Sequence, residues 1–319
     1  MTIVFILCTA IQVMGDAHYA LEVAHFINVG SSAASDLCIH ISIIDAFCKT
    51  VSTALNSRPD TTIVVCPHDS SEASLSNAVL LYGSYLLLCK GEAFDEVVNT
   101  LAGYVQLSRH ICSKVVDSWN ALEHARTLHW LSVPNFSDDA ILDIEMSAHY
   151  ALHANGGVNL IVPEKLLFFS PPASLPSSQA WADSSVTDVW PSRHFSAAFL
   201  AELLADLGVT AVVCLGRTGR RDAAAFRRRG LEVHDLDLDP RRPGLLSAMP
   251  RLLCLSRAAP GAVAVCGWHG DEAGVGRASV RTLGAAWLMA ESGFGAGAAE
   301  AWVGMACAAP AGAASSAAE

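Results

Sequence analysis

Apolar residues recur at helical spacing over 37–55 and give way at 61–66 to TTIVVC, a short β-branched run bounded by polar positions. This pattern predicts a helix followed by a buried strand. Residues 73–89, ASLSNAVLLYGSYLLLC, are too long and too continuously apolar for a strand and predict a buried helix. Helical periodicity continues over 93–104 and 112–130 until SVPNFSDDA interrupts it with proline and polar residues. The opening run MTIVFILCTAIQVMG lacks a basic leading segment, and its apolar stretch is shorter than the roughly 20 residues of a membrane span. It reads as a buried first strand.

The second half repeats this grammar. An amphipathic helical link over 140–153 is closed by Asn155, Gly156 and Gly157, whose glycines tolerate the left-handed conformation of a helix stop. A strand and turn, NLIVPEKLLFFS, follow at 159–170, and a Pro/Ser-rich loop occupies 171–191. Strands at 210–215, 232–238 and 262–266 then alternate with helices at 195–207, 222–229, 245–256, 277–291 and 296–307. Such alternation implies an α/β fold with a largely parallel sheet covered on both faces. The reading is therefore two α/β units, 1–135 and 159–308, joined by a linker helix within 136–158 and followed by a low-complexity Ala/Ser-rich tail at 309–319. Each unit contains a buried strand ending in cysteine, a short loop and a long apolar helix, the pattern of a diverged tandem repeat.

Composition narrows the function. At 52% apolar residues, 319 residues supply two packed cores. Only 16% of residues are charged and the net charge is -11, which excludes nucleic acid as the expected partner because phosphate backbones require clustered Lys and Arg. The six arginines within 217–229 read as a solvated helix face rather than an anion patch. Ten cysteines are scattered singly, with no CxxC pair, as in an intracellular protein with reduced thiols. His149 and His153 stand one helical turn apart with no third ligand nearby, so neither a metal nor a cofactor is expected.

The segment GAVAVCGWHGDEAGVGRAS at 261–279 combines a strand, a glycine loop (Ala273, Gly274, Val275, Gly276) and Arg277 heading an apolar helix. Cysteine-dependent phosphatases use such a strand, loop and helix. Loop amides and an arginine six residues after the cysteine bind the phosphate, and the helix terminus and arginine lower the thiol pKa. Here six back from Arg277 is Asp271, and six forward from Cys266 is Glu272. Asp271 would set negative charge where a phosphate dianion should sit, and its carboxylate would satisfy Arg277 and the loop amides internally. The stretch VHDLDLDPRRPG offers Asp235, Asp237 and Asp239 as candidate general acids, of which Asp239 is nearest the position such phosphatases use. A second stretch has the literal spacing: Cys214, five residues, Arg220. Val213 before the cysteine, Arg221 where a thiol-stabilising hydroxyl belongs, and the short charged helix behind it mark this stretch as a decoy.

These pieces together resemble the mitotic-exit dual-specificity phosphatases of the Cdc-fourteen family, and the likeness covers nearly the whole chain. It runs through His18-Tyr19, IVVCPHDSSEASLSNAVLLYGSYLLLC, EAFDEVVNTL, ILDIEMSAHYALHANGGVNLIVPEKLLFFSPP, VTAVV, GAVAV and AGVGR in collinear order. The resemblance implies tandem phosphatase-like domains, the first non-catalytic and contributing a specificity groove, the second normally active on phosphoserine before proline. In this chain Glu72 stands at the arginine position after Cys66. About four extra residues precede the glycine loop relative to the family, and Ala278-Ser279 replaces the usual Thr-Gly. The resemblance therefore carries the architecture and not the activity: a pseudophosphatase, not an enzyme. Its partners would be proteins of a cytoskeletal, centrosomal, ciliary or axonemal assembly in the cytoplasm, with no membrane, nucleic acid or metal. Two rivals stand beside this reading. One is an atypical active phosphatase using Cys214 and Arg220 with Asp183 or Asp188 as acid; the other is a phospho-motif binder through Arg277.

Overall fold

The computed structural model describes residues 3–5, 18–22, 39–57, 62–67, 71–101, 109–131, 141–176, 178–183, 193–216, 220–236, 244–267 and 273–308, with the backbone alone at 3–5, 18–22, 62, 66, 109–112, 220, 244–247 and 273–279. The chain divides into two compact units, with the change from one to the other between Ile144 and Glu145.

In the first unit, strands β1 (Ile3–Phe5), β2 (His18–Glu22) and β3 (Thr62–Cys66) form an all-parallel sheet in the order β1-β3-β2. Ile63, Val64 and Val65 of the central strand are all buried, as a β-branched run without polar alternation requires when both faces are covered. Among the described residues, the helices α1 (Ile41–Ser57), α2 (Glu72–Tyr85), α3 (Phe94–Leu101) and α4 (Arg109–Thr127) accompany the sheet. α2 begins where the Ser71 hydroxyl accepts the Ser74 N–H at 3.2 Å. The single helix expected at 73–89 ends instead as a π-helical turn, Leu86–Lys90, stopped by Gly91 at φ 70°. Helices α2 and α4 approach closely at Gly83. A Cβ there would collide with the ring of Trp119, whose Nε1–H donates to the Leu80 carbonyl at 3.1 Å.

The second unit opens with α5 (Ile144–Ala151), β4 (Val158–Val162) and β5 (Leu166–Phe169), then the small ribbon β6 (Trp181–Asp183) and β7 (Arg193–Phe195). It continues as α6 (Ala197–Asp206), β8 (Val209–Leu215), α7 (Arg220–Arg228), β9 (Glu232–Leu236), α8 (Gly244–Ala258), β10 (Ala262–Gly267), α9 (Ala273–Glu291) and α10 (Ala296–Ala306). Five strands make one sheet in the order β4-β5-β10-β8-β9, parallel throughout except for β4 against β5. Adjacent strand residues point to opposite faces. A Cβ on Gly284 of α9 would collide with the Phe168 ring, whereas Phe169 meets Phe226 of α7 edge to face at 6.2 Å. The helices α7 and α9 therefore cover opposite faces, and the fold is α/β with a mostly parallel sheet flanked by helices.

Three expectations need correction. The segment 159–170, read as a strand and turn, is a two-stranded hairpin. The Pro/Ser-rich stretch 171–191 contains β6, paired antiparallel with β7, because Arg193 stacks 3.9 Å over the Trp181 ring while its Nε–H donates to Asp183 at 2.8 Å. Phe195 consequently belongs to β7, and α6 starts two residues later, where the Ser196 hydroxyl accepts the Phe199 N–H. Among the described residues no helix is long and apolar enough to cross a membrane.

Candidate functional site

In the second unit the chain runs from β5 to β8, outward to β9, and then returns to insert β10 between β5 and β8. In open α/β sheets such a reversal marks the carboxyl ends of the strands as the place where ligands bind. β10 ends there at Gly267 and α9 begins at Ala273. Asp271 and Glu272, in the five-residue link between them, lie outside the described residues, as do Asp239, Asp188 and the tail at 309–319.

The glycine loop is corrected by the structure. Ala273, Gly274, Val275 and Gly276 form the first turn of α9, and Arg277 follows one turn into the helix rather than at its head. Glycines permit a loop without enforcing one. Four residues make about one helical turn, so Arg277 lies roughly 6 Å along the axis from the start of α9.

Cys266 sits inside β10, fully buried, and the strand continues past it to Gly267. Its S–H donates to the Cys214 sulfur at 3.5 Å across the register pair of β10 and β8. Burial first, and then this hydrogen bond, pushes the Cys266 thiol well above the ordinary thiol range. A nucleophilic thiol requires the opposite shift.

Cys214 is equally buried and is paired on both sides, with Cys266 on β10 and Asp235 on β9. After it, the Gly216 N–H donates to the Leu236 carbonyl at 2.9 Å, extending the sheet instead of facing a phosphate. Arg220 opens α7 on a backbone that starts two residues earlier than the periodicity of 222–229 implies. Behind it Ala223, Ala225 and Phe226 are buried while Arg221, Arg227, Arg228 and Arg229 are exposed, the solvated arginine face.

Asp183 does not offer a proton either. The Arg193 guanidinium donates to it at 2.8 Å and holds its carboxyl below the usual carboxylate range, whereas a general acid needs a raised pKa. α5 ends at Ala151, so exposed His149 and His153 are on different elements: His153 opens a short 3-10 turn, and Asn155 Nδ2–H donates to the His149 carbonyl at 3.0 Å. Among the described residues no three His, Cys, Asp or Glu side chains gather as a metal site would need.

The two units match in one further respect. In the first, β3 ends at Cys66 and α2 begins at Glu72; in the second, Cys266 stands one residue before the end of β10 and Glu272 precedes α9. Both stretches are a cysteine, five residues and a glutamate. Along the sequence the cysteines stand as isolated thiols; the fold sets Cys214 against Cys266, a contact between distant elements that no local spacing signals. No family model matches this chain, and no curated protein matches it.

Proposed function

We propose that this chain is a pseudophosphatase, a degenerate relative of the Cdc-fourteen phosphatases built from two phosphatase-like domains, and that it works as a scaffold or interaction protein. One observation carries the reading. Cys266, the next-to-last residue of the central strand, is buried and protonated within the sheet, and the residue six positions on, where a phosphate-binding arginine belongs, is Glu272. A thiol without an exposed thiolate cannot attack phosphorus, and a carboxylate at the phosphate position repels the dianion. The burial of Cys214 argues equally against the rival loop of Cys214 and Arg220. Partners of this scaffold are proteins of a cytoskeletal, centrosomal or ciliary assembly, the settings the family resemblance implies.

The test is turnover of a small aryl phosphate by the purified chain beside Cys214→Ser and Cys266→Ser variants, with thermal melts in phosphate and tungstate. Absence of turnover together with unshifted melts is the expected result. Turnover lost only in the Cys214→Ser variant would make the chain an enzyme with a relocated loop. A melt raised by tungstate without turnover would instead identify a phospho-motif binder.

A further inference from the structure

We propose that the exposed arginine face of α7 is a docking surface for an acidic segment of a partner protein, one rich in Asp and Glu. It is separate from the strand-end link before α9 that carries the pseudophosphatase reading, because α7 and α9 cover opposite faces of the sheet, and it does not depend on that reading.

α7 has the sequence RRDAAAFRR and is followed by Arg229. Its apolar side belongs to the core: Ala223, Ala225 and Phe226 are buried, with Phe226 against Phe169 of β5. Arg221, Ala224, Arg227 and Arg228 are exposed. They stand at i, i+3, i+6 and i+7, positions that share one side of a helix, and they span about 10 Å along its axis. The small Ala224 in their midst leaves room for a partner's backbone to approach between the guanidinium groups.

Neighbouring carboxylates neutralise little of this charge. The one acidic residue of the helix, Asp222, is half-buried, and Asp206 of α6 stands 4.0 Å from Arg229. Among the described residues Arg227 and Arg228 make no ion pair. The helix dipole accounts for part of the cluster only: arginines in the last turn complement it, whereas Arg221 stands in the first turn, where a cation is disfavoured. In a chain of net charge -11, six of the twenty basic residues are concentrated within 217–229. Like charges held this close repel one another. Carboxylates arriving from outside relieve that repulsion, and the planar guanidinium forks bind them in bidentate fashion.

Extent and composition select the occupant. A span of about 10 Å is matched by carboxylates on two turns of a helix, or on about four residues of an extended strand. A nucleic acid duplex carries a charge about every 1.7 Å and requires a wider basic surface, and the net charge of -11 opposes it at longer range. An anionic membrane is engaged by helices that insert apolar side chains. Those of α7 are buried, and the exposed large apolar residues Ile141, Met146, Trp181 and Met289 lie elsewhere. Solvated in the chain alone, the face is complementary to a short acidic protein segment.

The test titrates the full-length chain into a fluorescein-labelled octaglutamate peptide and reads anisotropy at about 50 mM and about 300 mM salt. Saturable binding that weakens with salt is expected. A triple variant, Arg221→Gln with Arg227→Gln and Arg228→Gln, should bind at least about tenfold more weakly. A second triple, Lys90→Gln with Lys165→Gln and Arg251→Gln, removes the same charge from exposed positions elsewhere and should stay within about twofold of wild type. No saturable binding by the wild-type chain overturns the proposal. So does an equal loss in the two triples, which would make the attraction a matter of net charge. Tighter binding to phosphatidylserine vesicles or to a deoxythymidine oligomer, lost in the α7 triple, would assign the face to lipid or nucleic acid and overturn the acidic protein partner. Aryl phosphate turnover is not read, so failure here leaves the pseudophosphatase reading standing.

Discussion

His40 shows how one buried side chain sets a pH dependence. It has no exposed surface at the head of α1, and the Ser42 N–H donates to its Nδ1 at 3.1 Å while Nε2 has no partner. The ring is thus held neutral, with Nδ1 as acceptor. Burial lowers its pKa from 6.5 to about 4. Unfolded, the same histidine titrates near its ordinary value, so between these pH values the unfolded chain binds a proton that the native chain refuses. The stabilisation is complete above about pH 6.5 and is lost as pH falls toward about 4, by at most roughly 3 kcal/mol. Urea unfolding at about pH 7.5 and about pH 4.5 reads this directly. The wild-type chain should lose more stability across the interval than a His40→Asn variant; equal losses would show that His40 is not the group being titrated.

At the scale of elements, legibility followed length and local signals. The buried helix begun at 73, the strands around Val212 and Val263, and the solvated arginine face could be read from apolar runs and clustered charge because each signal is written within one segment. The ribbon of β6 and β7 could not. Each strand has three residues, and what joins them, Arg193 over Trp181 and against Asp183, spans a Pro/Ser-rich stretch with no strand signature. The early start of α9 was hidden for a related reason: Gly274 and Gly276 argue locally for a loop, and a long helix overrides that preference. The candidate site was legible in its spacing, since Cys266, Glu272 and Arg277 are fixed by counting. The contact of Cys214 with Cys266 was not, because it arises from strand register. The N-cap of α6 tests how much a local signal contributes. Ser196→Ala removes the acceptor of the Phe199 N–H and should cost about 1 kcal/mol, whereas Ser196→Asp should retain most of that stability. Chemical denaturation of both variants distinguishes a capping role from simple surface tolerance, which would leave the alanine variant unchanged.

Across the whole molecule, each unit builds its core around its own sheet, and in the second unit the last helix closes the structure that the first strand opens. One link is a hydrogen bond. The pairing of β4 with β5 shifts register between Leu160 and Val162, so Ile161 falls outside the regular ladder. Its carbonyl accepts the Trp302 Nε1–H of α10 at 2.7 Å, joining residues 141 positions apart. Both residues are buried. Trp302→Phe retains an aromatic ring and removes the donor, leaving a buried carbonyl to find water or go unpaired, a loss of about 1–3 kcal/mol. Part of any measured loss would come from the smaller ring, so Trp302→Leu serves as the comparison: it removes the donor as well and vacates more volume. If the hydrogen bond dominates, the two variants should be destabilised by similar amounts in equilibrium unfolding. A much larger loss for leucine would mean that α10 is held by packing, with the bulge carbonyl satisfied some other way.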